Sequence, residues 1–155
     1  DPKVRASYFG ILSLLGDPGS LPLLRTALRD ENPEVKDAAV RGLTAWPTSA
    51  ARDDVFKLAR ESKDETHRLL AIAGVIRMIG LDRYRNPEAA VADLKTASEL
   101  AWRNEERRLV LGALGQFPCP AAIELAQGFA GNPELKAEAE ATLERLKMDP
   151  MRRRR

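Results

Sequence analysis

The sequence holds one cysteine, Cys119, and one histidine, His67, in 155 residues. That scarcity excludes a disulfide framework, a thioredoxin-like pair and any metal site built from several Cys or His ligands. Aromatic residues make up 5% of the chain. Seven valines and five isoleucines are too few for a β-sandwich or barrel. No run of 18 or more apolar residues occurs, so no segment is expected to span a membrane. No signal-like stretch leads the chain, and it starts at Asp1 rather than Met. A processed chain, or a module of a larger protein, is therefore expected. A lone cysteine fits either redox compartment, with the cytoplasm favoured.

Net charge is also small. Lys and Arg number 25 against 23 Asp and Glu, a formal net charge of +2. Arg152, Arg153, Arg154 and Arg155 account for all of that excess, so the body of the chain is near neutral. Residues 148–155 are expected to form a basic, disordered tail. A near-neutral body argues against nucleic acid as the principal partner.

What is abundant is alanine (23) and leucine (21), a helix-former's composition. Asn-Pro-Glu recurs at 32–34, 86–88 and 132–134, and Asp1-Pro2-Lys3 has the same form. Each reads as a helix start. Asn or Asp accepts an orphan backbone N–H, and proline loses nothing at the first helical position. Glutamate suits the positive end of the helix dipole. Behind them lie apolar positions at helical spacing: Val4, Tyr8 and Leu12; Val35, Ala39, Leu43 and Trp46; Ala71, Val75 and Met78; Val110, Leu114 and Phe117; Leu135, Ala139, Leu143 and Leu146.

Aligning these five helices brings Arg5, Lys36, Arg68, Arg107 and Lys136 into register, at steps of 29–39 residues. Such steps suit stacked helical hairpins. Partner helices are expected near 20–29, 49–60, 87–101 and 120–130, giving nine helices and no strand. Trp46-Pro47 and Phe117-Pro118 occupy equivalent positions, each an aromatic closing the core where proline stops a helix. The third unit lacks that proline and runs on through 80–85.

The pattern resembles HEAT repeats, specifically the short bacterial type also seen in phycobilisome-lyase-like proteins. Residues 20–43 carry the resemblance best, through Pro22, Asp30, Val35, Lys36, Ala39 and Leu43. The resemblance covers residues 2–147 and implies an all-α, right-handed superhelix of about four and a half hairpins. It also implies a non-catalytic scaffold for protein–protein interaction. In such arrays the second helices line the concave side. Asp37, Arg41, Arg77, Arg108 and Gln116 are thereby expected to face a protein or peptide partner. The first helix is apolar over a wide arc and lacks a hairpin partner. Residues 2–15 are thus expected to be internal to a longer array or to form a self-association surface.

The remaining chemistry is sparse. The basic ladder could follow a phosphate backbone, but the repeat itself accounts for a basic side chain bonded to the neighbouring turn. His67 has no second histidine with which to hold a metal, and no other metal or cofactor site stands out. Cys119 has no local histidine base. The pairs Asp53-Asp54 and Glu105-Glu106 fall in first helical turns, where adjacent side chains point about 100° apart and make no catalytic dyad. No catalytic residue can be picked out. A DNA-glycosylase-like reader would need a continuous basic groove with a poised acid near an aromatic. A chromophore-lyase-like protein would need an apolar pocket with a catalytic acid. An interaction module is the favoured reading.

Overall fold

The computed structural model describes residues 1–82 and 84–148. Among these residues lie nine α-helices and no strand, so the fold is all-α. They are α1 (Pro2–Leu15), α2 (Leu21–Ala27), α3 (Pro33–Thr44), α4 (Arg52–Glu61), α5 (Glu65–Leu81), α6 (Pro87–Leu100), α7 (Asn104–Leu114), α8 (Pro120–Ala130) and α9 (Lys136–Lys147). Short 3-10 turns precede α2 and α4. The expected tail lies outside the described residues from position 149 onward. The chain forms two compact units, Asp1–Asp82 and Arg83–Arg155.

The helix starts follow from the cap residues. Asp1 accepts the Lys3 N–H at 2.8 Å. Asn32 accepts from Glu34 and Val35, and Asn86 accepts from Ala89. Each cap of this kind contributes about 1 kcal/mol. Asn132 departs from the pattern. It accepts the Glu134 N–H at 3.0 Å, yet α9 begins at Lys136. The Leu135 N–H turns back to the Asn132 carbonyl, closing a tight turn before the helix can start.

In the first unit α2 pairs with α3 and α4 with α5, while α1 and α5 both pack against α3. Val35, Ala39 and Leu43 of α3 are fully buried, as their spacing requires. Trp46 closes this core and Phe117 closes that of the second unit; both are buried. Gly42 and Gly74 set the helix separations. A Cβ on Gly42 would crowd Leu24 and the Phe9 carbonyl, and one on Gly74 would lie 2.7 Å from the Thr44 carbonyl oxygen. The second unit repeats the plan, with hairpins α6–α7 and α8–α9 stacked through α6·α8 and α7·α9.

Helix α1 buries a different face from the one its spacing suggests. Val4 and Tyr8, aligned with buried Val35 and Ala39, are more than half exposed. The face toward α3 carries Phe9, which packs on Ala27, Val35 and Ala39. It also carries Ser13, whose hydroxyl is satisfied by the Gly10 carbonyl. In α3 the Val35–Ala39 face packs on Ala27 of the hairpin partner α2 as well as on Phe9 of α1.

Candidate functional site

Asp37 and Arg41 sit one turn apart on α3 and form an ion pair at 2.7 Å. Asp37 also meets the His67 Nε2 of α5 at 2.9 Å. The Arg41 hydrogen bond, reinforced by His67, holds the Asp37 carboxyl below its ordinary range. The single histidine thus has a structural partner, a carboxylate 30 positions earlier in the chain.

Arg77 lies on α5, but its guanidinium serves the fold. It donates to the carbonyls of Thr44 (3.0 Å) and Trp46 (2.6 Å) at the C-terminal end of α3. Those are carbonyls the helix cannot satisfy itself, and a cation suits that end of the dipole. Partial burial lowers the Arg77 pKa from its ordinary value. Arg145 holds the matching place in the second unit. It donates to the Thr142 hydroxyl, and its guanidinium lies against Gly115 at the end of α7. The sequence held a signal for this: both arginines fall nine residues after a ladder position, Arg68 and Lys136.

Arg108 of α7 binds the Glu138 carboxylate at 2.9 Å and the Glu134 carbonyl at 3.1 Å. It therefore ties α7 to α9 and remains half-buried at the surface. Gln116 follows α7 and is exposed. Of the basic ladder, Arg5 reaches Asp30 at 2.6 Å and Arg107 reaches the Ala101 carbonyl at 3.2 Å. Both bond the neighbouring turn. Lys136 instead faces Glu140 on its own helix, at 3.9 Å.

The first unit also holds a concavity that no sequence pattern indicates. A cleft of about 720 Å³ opens where the α2–α3 turn meets the α4–α5 turn. Leu28, Pro33, Val40 and Leu58 supply its apolar lining. Arg25, Arg29, Lys36, Lys57 and Lys63 stand around it, against Glu31, Asp54, Glu61 and Asp64. Two of those carboxylates are committed. Asp54 takes a two-pronged bond from Arg25 at 2.8–3.0 Å, which raises the Arg25 pKa, and Asp64 caps α5 through the His67 N–H. No local motif announces the cleft, because several helices and the turns between them build it.

Cys119 is partly buried immediately before α8. Asp53 and Asp54 fall in the first turn of α4, and Glu105 and Glu106 in that of α7. Glu106 is buried and accepts the Arg103 N–H at 3.1 Å, a cap rather than an acid–base group. Among the described residues no three His, Cys, Asp or Glu side chains group as metal ligands. No described helix is long and apolar enough to cross a membrane.

Paired helices, turn-to-turn bonds and stacked hairpins are the ingredients of a repeat array, and residues 1–76 match the family model for HEAT repeats. Residues 1–76 are HEAT repeats. Neither a curated protein nor a solved structure matches the chain. HEAT repeats generally mediate protein–protein interaction and are generally non-catalytic.

Proposed function

We propose that this chain is a non-catalytic scaffold whose first unit holds a segment of a protein partner in the α2–α5 cleft. The observation that carries the reading is the cleft itself. It combines an apolar lining with a rim in which Arg25 pairs with Asp54 and Lys57 with Glu61, leaving Arg29, Lys36 and Lys63 against Glu31 and Asp64. Such a groove takes one or two apolar anchors, and its rim favours acidic residues beside them. The Asp37–Arg41 pair on α3 lies next to His67 of the cleft and extends the surface. Arg108 and Gln116 offer further polar positions on the second unit. Arg77 contributes by fixing the end of α3 rather than by touching the partner.

The test is a peptide-display selection on the intact chain, followed by affinities of the enriched peptides for charge-reversed variants. The expected peptides carry an apolar anchor flanked by Asp or Glu. Lys36→Glu with Lys63→Glu should weaken them about tenfold or more. Enriched peptides that bind this variant unchanged, or a selection that enriches nothing, would overturn the proposal.

A further inference from the structure

Helix α1 carries two apolar faces. One packs on α3; the other shows Val4, Tyr8, Ile11, Leu14 and Leu15 to solvent, each 52–84% exposed. Four of the five lie on one line along the helix, at spacings of 4, 3 and 4 residues. That line is symmetric about the midpoint between residues 9 and 10. Val4 and Leu15 are equidistant from it, and so are Tyr8 and Ile11. A helix with this symmetry is complementary to an antiparallel copy of itself, because the two-fold axis places Val4 opposite Leu15 and Tyr8 opposite Ile11.

Charge selects the same direction. The only charged residues within α1 are Lys3 and Arg5, both in its first turn and a half. A parallel pair would set Lys3 against Lys3. An antiparallel pair separates them by ~20 Å at 1.5 Å of rise per residue and opposes the helix dipoles. Arg5 is already neutralised by Asp30. The exposed patch is on the order of 500 Å² per copy, so a pair buries roughly 1,000 Å², enough for a reversible dimer.

We infer that a second copy of this chain covers the exposed face of α1, giving a two-fold dimer in which the two α1 helices run antiparallel. This surface is separate from the α2–α5 cleft, so each stands or falls without the other.

The experiment uses the full chain with Cys119→Ser, to remove the native thiol. Sedimentation across micromolar to several hundred micromolar protein should show the apparent mass doubling. Tyr8→Glu should weaken that association about tenfold or more while leaving the helical circular dichroism unchanged. A mixture of Val4→Cys chains with Leu15→Cys chains, gently oxidised, should give the mixed disulfide, and each variant alone should stay uncross-linked. A chain that remains monomeric throughout, or Val4→Cys chains that cross-link to one another, would overturn the inference.

Discussion

Single side chains in this protein do their work by meeting backbone that a helix leaves bare. Arg77 is the clearest case, with its Nη2 donating to the carbonyls of Thr44, the last residue of α3, and of Trp46 just beyond it. Arg77→Ala should lower stability by about 1–3 kcal/mol in urea unfolding, and Arg77→Lys should recover only part, because an ammonium lacks the planar fork. Gly74, one turn earlier on the same helix, lies against the same Thr44 carbonyl. Gly74→Ala would press a Cβ onto the Thr44 carbonyl and should cost about 1–3 kcal/mol. Acid should act on the carboxylates. The Asn32 N–H, with help from Arg5, holds Asp30 below its ordinary range. A depressed native pKa stabilises the fold above the unfolded value, about 4, and that contribution is lost as pH falls through the native value. Between pH 6 and pH 3 the urea midpoint of the wild type should therefore fall further than that of Asp30→Asn. Parallel pH profiles would remove Asp30 from the account.

At the scale of elements, cap chemistry decides where helices begin, and it was legible in the sequence. Asp1, Asn32 and Asn86 all cap as their Pro-Glu or Pro-Lys followers suggest. Asn132 carries the same signature but makes a turn, because the Leu135 N–H closes on its carbonyl and α9 starts later. Asn32→Ala should thus cost about 1 kcal/mol in thermal or urea unfolding, and Asn132→Ala should shorten no helix by circular dichroism. Periodicity located all nine helices but misjudged which side of α1 is buried. Val4, Tyr8 and Leu12 fit a helical stripe as well as Phe9 and Ser13 do, and only the position of α3 chooses between them. The role of Arg77 was hidden for a similar reason. A long cation on an outward helical position reads as solvent-facing until the end of the neighbouring helix is seen beneath it.

For the whole molecule, repeat spacing carried the fold class, and the long connection at 80–85 fell where the two units divide. The cleft stayed invisible because Lys36 and Leu58 come from two helices while Leu28 and Lys63 come from the turns after α2 and α4. Near-neutral charge over the body and a locally basic rim are compatible, since Arg25 and Asp54 cancel while Lys36 and Lys63 stand apart. The central claim is that the first unit binds a protein segment in this cleft. Hydrogen–deuterium exchange of the intact chain, with and without a selected acidic–apolar peptide, tests it most directly. The account predicts added protection concentrated in residues 25–40 and 54–67. Protection confined to other parts of the chain, with those two segments unchanged, would contradict it.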